Sequence, residues 1–205
     1  MKQEPTSTRH RRTRIRRRAV LEAALACFSE ADVQSVSIAE ICARSGASVG
    51  SVYHHFGSKE AIVAALIADG LQAHLDLLEA ALEQAHGEPR LGIEAVVGSL
   101  IGWIESNPGW AMFIYANLNN SGAAAAMPIR EVNRRYGQVI EGFFGPLMAA
   151  GRIRTLPREC WSSLIAAPIH DYARRWLRDQ VRTPPSGHRE TFLGAASAIL
   201  RNDSE

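Results

Sequence analysis

Cysteine is scarce in this chain, and long uninterrupted apolar runs are missing. Cys27, Cys42 and Cys160 are the three cysteines, an odd set without zinc-like pairing. That excludes a disulfide scaffold and fits free thiols in a reducing cytoplasm. Gly, His and charged residues interrupt every apolar candidate, so no membrane span and no membrane partner are expected. The arginine-rich start has no apolar segment of the kind a secretory signal carries, and residence in the cytoplasm is the expectation. Acidic residues are almost absent from the first eighteen positions, where Glu4 alone faces Lys2, Arg9, Arg11, Arg12, Arg14, Arg16, Arg17 and Arg18. The net charge of +2 therefore combines a strongly positive end with a net acidic remainder. Catalytic constellations are equally sparse. There is no HExxH, no phosphate-cradling loop and no Ser/His/acid set that the sequence places together, and His170-Asp171 alone is too little. Neither an enzyme nor a cofactor is expected.

Strand-like alternation and internal repeats are absent as well; what is present is helical periodicity. With 46% of its residues hydrophobic, the chain can bury a sizeable core. Leu21, Ala24, Leu25 and Phe28 stripe a first helix from about Thr13 to Glu30. Leu71, Leu75, Leu78 and Leu82 stripe a long helix that starts at Ser58 and ends before His86-Gly87-Glu88-Pro89. A helix from about Arg90 stops at Asn107-Pro108. A short one from Trp110 to Leu118 ends at Asn119-Asn120-Ser121-Gly122. Ile129, Val132, Tyr136, Ile140, Phe143 and Leu147 mark a seventh helix closed by Gly151. An eighth starts near Pro157 with Pro168 in its interior, where it must bend the helix. A ninth starts near Gly187.

Between the first and the long helix lies the most informative stretch, SIAEICARSGASVGSVYHHFGSKE, Ser37 to Glu60. Ser37 precedes Ile38, Ile41 and Cys42, which share one helical face, and Glu40 completes a capping box. Arg44-Ser45-Gly46 supplies a tight turn. Ser48 caps a second short helix with Val52 and Phe56 facing inward and Ser51, His54 and His55 outward. Two short helices joined by a glycine-containing turn make a helix-turn-helix, whose second helix enters the DNA major groove.

These residues resemble the N-terminal region of the TetR/AcrR family of bacterial repressors. Ser37-Ile38-Ala39-Glu40-Ile41, Ser45-Gly46-Ala47-Ser48, Gly50-Ser51-Val52-Tyr53, His55-Phe56 and Ser58-Lys59-Glu60 follow the family's order and spacing. The departures are mild. Ser37 and Ser51 stand where threonine is commoner, Ala47 and Val52 where larger aliphatics are commoner, and Cys42 where alanine is usual. The resemblance implies an all-α fold of about nine helices: a three-helix DNA-binding head joined to a larger helical body that binds a ligand and dimerises. The boundaries expected are a disordered basic arm at 1–12, the head at 13–60 and the body at 61–205.

On this reading Arg16, Arg17 and Arg18 neutralise phosphates or enter the minor groove. Ser37, Tyr53 and Lys59 resemble the family's phosphate-holding positions, with Ser48 capping the reading helix. Val49, Gly50, Ser51, His54 and His55 match positions that approach base edges. The paired histidines point about a third of a turn apart and lack a third ligand, so no metal site is expected. The aromatics concentrate in the second half, where the family encloses a small inducer. Candidate ligand residues there are His74, Trp103, Trp110, Met112, Tyr115, Phe143 and His170, and an apolar or aromatic inducer is expected. A two-fold dimer reads a palindromic operator where one short helix would not suffice. The expected interface uses Trp161, Leu164, Ile165, Pro168 and Tyr172 with Phe192, Ala195, Ala196 and Ile199 of the last two helices. The functional expectation is a repressor released from operator by a small molecule; the alternative is a DNA-binding regulator or architectural protein without an inducer.

Overall fold

The computed structural model describes residues 6–118 and 126–202, with backbone alone described through residue 14 and at 126. Among these residues are nine α-helices and no strand. They are α1 (Thr6–Glu30), α2 (Ile38–Ser45), α3 (Val49–Phe56), α4 (Lys59–Gln84), α5 (Pro89–Ser106), α6 (Pro108–Asn117), α7 (Ala126–Ala149), α8 (Ala167–Leu177) and α9 (Arg189–Leu200). The Asn119–Gly122 break expected after α6 lies outside the described residues.

Helix α1 begins at Thr6, not near Thr13. Residues 6–12 of the expected disordered arm are therefore helical, and 1–5 lie outside the described residues. Arginine is a strong helix former, and neither Gly nor Pro interrupts the chain between Thr6 and Glu30. The caps of the next three helices follow the sequence reading. Ser37 and Glu40 form a reciprocal capping box on α2, and Gly46 ends that helix at φ 69°. Ser48 accepts from the Ser51 N–H at the start of α3, and Ser58 accepts from the Ala61 N–H at the start of α4. Each cap satisfies an N–H that the helix itself leaves unpaired.

Helix α4 is the axis of the molecule. It packs against α1, α3, α5, α6 and α7, and Ile62, Leu66, Ile67, Leu75, Leu78 and Leu82 are buried along it. Contrary to the sequence reading, α4 is long and apolar enough to cross a membrane by length and composition; half of that stretch is buried inside the bundle.

Pro168 does not lie in a helix interior as expected. It stands in the first turn of α8, directly after a π-helical turn at Ser162–Ala166. The Ala167 N–H donates to the carbonyl of Ser162, five residues back. A proline lacks the N–H that a helix interior needs, and the wider turn before it accommodates that loss. The segment before α8 turns Trp161 and Ile165 into the core, with Trp161 against Phe144 at 4.7 Å between ring centres.

Three contacts fasten head to body or close the head on itself. Phe28 of α1 stacks on Phe113 of α6 at 5.6 Å and 10°. Arg17 of α1 grips Asp69 of α4 through both carboxylate oxygens, at 2.9 and 3.2 Å. Arg44 of α2 does the same to Glu30 at the end of α1, at 2.9 and 2.6 Å.

Candidate DNA-reading head and ligand-binding body

The reading helix is built on one anchor. Val52 is 1% exposed and fixes the inner face of α3, and Phe56 packs against the same core. The outer face then follows from 3.6-residue geometry. Val49 and Tyr53 are 48% and 52% exposed, flanked by exposed Gly50 and His54, with Ser51 and His55 partly covered. A Cβ at Gly50 would meet nothing within 4 Å, so the groove of a duplex could approach the backbone there. The rings of His54 and His55 lie 5.4 Å apart, tilted by 58°.

Among the expected anchors, Lys59 is placed differently. Its Nζ donates to the carbonyls of Gln34 and Val36 at 3.1 and 2.9 Å. Those carbonyls belong to the loop between α1 and α2, outside any helix, and lysine supplies the donors they lack. Lys59 thus holds the loop that sets where α2 begins. Ser37 is occupied in the capping box, its hydroxyl 2.7 Å from Glu40. Arg17 is committed to Asp69, whereas Arg16 and Arg18 are exposed. Arg18 pairs with Glu22 one turn along at 2.7 Å, a surface contact of little energetic weight.

In the body, three of the ligand candidates, His74, Tyr115 and His170, fall into two tyrosine–histidine pairs, the fourth member being Tyr136. The Tyr136 hydroxyl shares a hydrogen bond with His74 Nδ1 and donates to the Leu71 carbonyl at 3.2 Å. His74 Nε2 meets the Ser99 hydroxyl at 3.4 Å, and its ring lies 6.2 Å from that of Trp103. Across the interior, the Tyr115 hydroxyl meets His170 Nδ1 at 2.8 Å, and the Arg174 guanidinium lies 5.4 Å from the Tyr115 ring centre. Burial pushes both histidines down to about 4, helped by their mutual proximity at His74 and by Arg174 at His170. Burial pushes the Tyr115 and Tyr136 hydroxyls up. All four groups are therefore neutral near pH 7.

The remaining candidates separate. Trp103 is buried, and the Trp110 indole N–H donates to the Leu66 carbonyl at 2.9 Å. Phe143 fills the space left by Gly92. Met112 is 45% exposed and faces away from the interior, because α6 turns Ala111, Phe113 and Ile114 inward. Tyr136 and Ser99 were missed. Tyr136 was legible only as one position in an apolar stripe, and Ser99 had no signal at all. A cleft of about 590 Å³ lies between head and body, against Phe28, Val33, Lys59, Val63 and Asn117. A second, of about 530 Å³, lies along α5 against Leu91, Gly98, Ser99 and Arg189. Neither is lined by any of the seven ligand candidates.

Capped helices at a glycine turn, an exposed outer face on the second of them and a helical body behind define a helix-turn-helix head on an all-α body. The family model for bacterial regulatory proteins of the tetR family matches residues 20–66. That match takes in the helix-turn-helix and its flanks, less than a quarter of the chain. The chain is 32% identical over 88 residues to the HTH-type transcriptional regulator BetI of Escherichia coli, a match spanning 41% of this chain and 44% of that relative. The whole fold resembles the regulator FadR of Bacillus subtilis, solved with stearoyl-CoA, with a TM-score of 0.75, 16% identity and coverage of 88% of this chain and 97% of that one. It also resembles the TetR family regulator PfmR of Thermus thermophilus, with a TM-score of 0.64, 20% identity and coverage of 91% and 99%.

Proposed function

We propose that this chain is a repressor that binds a palindromic operator as a homodimer and is released by a small apolar or aromatic molecule. The observation that carries the reading is the outer face of α3. Val49, Gly50, Tyr53 and His54 are exposed on a helix whose other side is locked by Val52. A helix so presented offers hydrogen-bonding and methyl-contacting groups to base edges. Two copies are needed, because eight residues of reading helix cover only one half-site. In the body, the neutral Tyr136–His74 and Tyr115–His170 pairs with Trp103 supply the mostly apolar surroundings and few polar groups that suit a small uncharged ligand.

Selection from a random duplex pool tests the DNA part. The expected result is a two-fold symmetric sequence with half-sites about one helical turn apart. Tyr53→Ala should weaken binding to it by roughly 1–3 kcal/mol with the fold intact. Wild-type affinity in that variant would mean that α3 is not the reading helix.

One observation favours the alternative of a regulator without an inducer: the polar groups of His74, Trp110, Tyr115 and His170 already have partners within the fold, and the described clefts lie elsewhere. Ligand-driven release requires reciprocity, so any compound that elutes the protein from its operator must bind more weakly when operator is present. Titration calorimetry of such a compound with and without duplex separates the readings. Equal affinities select the alternative.

A further inference from the structure

We propose that Arg17, although it sits in the basic cluster, is an internal clamp that sets the angle of the reading helix and is not one of the arginines that hold DNA. The inference rests on the DNA-binding reading above. One planar group here serves three helices. The two terminal nitrogens of Arg17, on α1, donate to the two carboxylate oxygens of Asp69, on α4. The same guanidinium lies 5.8 Å from the centre of the Phe56 ring, the last residue of α3. A guanidinium fork matches a carboxylate edge-on while leaving its flat face for an aromatic ring. Arg17 thereby joins the C-terminal end of the reading helix to the central helix of the body.

The stretch of α4 that holds the clamp is itself fixed from behind. Asp69 precedes Gly70, where a Cβ would stand 2.7 Å from both Ile114 Cδ1 and Trp110 Nε1 of α6. Trp110 also donates to the Leu66 carbonyl one turn earlier. Successive helix positions point to adjoining faces. Between Leu66 and Gly70, α4 is therefore gripped by α6 on one face while its neighbouring face holds α1 and α3 through Arg17. A shift of α4 relative to α6 must strain this clamp or move the reading helix with it.

The two roles for Arg17 predict opposite signs, which makes the test sharp. The probe is a duplex enriched by the wild-type protein from a random pool, with affinity measured by fluorescence anisotropy across salt concentrations and folding checked by thermal melting. Asp69→Ala releases Arg17. A phosphate-binding arginine set free in this way would tighten binding and steepen the salt dependence. A clamp set free would weaken binding, by roughly 3- to 10-fold, with the slope unchanged. Arg17→Lys keeps the charge but loses the fork, and should show the same loss; it also carries the test if Asp69→Ala fails to fold. The double variant should be no worse than either single one, because both break the same contact. Tighter binding by Asp69→Ala, wild-type binding by Arg17→Lys, or a slope reduced by about one in Arg17→Gln would overturn the clamp. If the wild-type protein enriches no sequence, the DNA-binding reading falls first, a result obtained before any variant is made.

Discussion

Single residues in this chain do different work from what their types advertise. Arg17 stands in the basic run and Lys59 at a position expected to hold phosphate, yet both spend their hydrogen bonds on the protein itself. Two histidines of the body, already ligand candidates by sequence, are set apart by their surroundings. His74 and His170 keep some exposed surface, but each ring is packed against a tyrosine, and burial lowers both to about 4. An unfolded chain takes up protons on these groups below about pH 6.5, while the folded one does not until near pH 4. Their neutral burial is therefore fully compatible with folding above pH 6.5, and stability is lost as pH falls from there towards 4. The expected loss between pH 7 and pH 5 is on the order of 2 kcal/mol per histidine. Urea unfolding at the two pH values should show a smaller drop in a His74→Gln, His170→Gln variant than in the wild-type protein. Parallel drops would mean that neither ring is held neutral by the fold.

Elements were legible wherever a local rule decides them. Ser37, Ser48 and Ser58 cap the helices they precede, because capping involves only neighbouring residues. The start of α1 was not legible, since the apolar stripe that announces a helix begins well after the arginine run that extends it. The π turn before Pro168 was hidden for another reason: it reconciles a proline with a helix that tertiary packing keeps continuous. Glycines show the same split between local preference and packing. Gly70 and Gly102 both lie inside helices, where alanine is favoured by up to about 1 kcal/mol. A Cβ at Gly70 collides with α6, whereas one at Gly102 meets nothing within 4 Å. Gly102→Ala should therefore stabilise by about 0.5–1 kcal/mol. Gly70→Ala should destabilise by roughly 1–2 kcal/mol, the overpacking exceeding the helix gain. Thermal melting of the two variants compares them directly, and a stabilised Gly70→Ala would show that α4 and α6 are less tightly joined than their geometry indicates.

At the scale of the whole molecule, the proposed dimer depends on which faces the last two helices leave outside. Sequence spacing grouped Trp161 and Ile165 with Leu164 and Pro168, and Ala196 with Ala195. The fold separates them: Trp161, Ile165 and Ala196 are core, and Tyr172 is pinned by donating to the Thr183 carbonyl at 2.9 Å. Leu164, Pro168, Asp171 and Arg175 remain exposed near α8, and Thr191, Gly194, Ala195 and Ala198 on α9. Small residues there let a second copy's helices approach closely, a fit suited to the two-fold interface we propose. Ala195→Arg should yield a folded monomer by analytical ultracentrifugation and lower operator affinity roughly 100-fold or more, since the two heads no longer bind as one unit. A variant that still sediments as a dimer would move the interface elsewhere.

By itself the sequence determined the helical class, the capped helix-turn-helix and the inward face of α3 at Val52, because each follows from periodicity and contacts within a few residues. It also carried the family's signature between Ser37 and Glu60. Tertiary structure alone decided which arginine clamps and which stays exposed, that Lys59 staples a loop, that Met112 faces outward, and that Tyr136 and Ser99 join His74. Those outcomes depend on partners tens of residues away: Asp69 for Arg17, Gln34 and Val36 for Lys59, Tyr136 for His74. No local pattern encodes such pairings, since they arise only when packing of the apolar faces brings distant segments together.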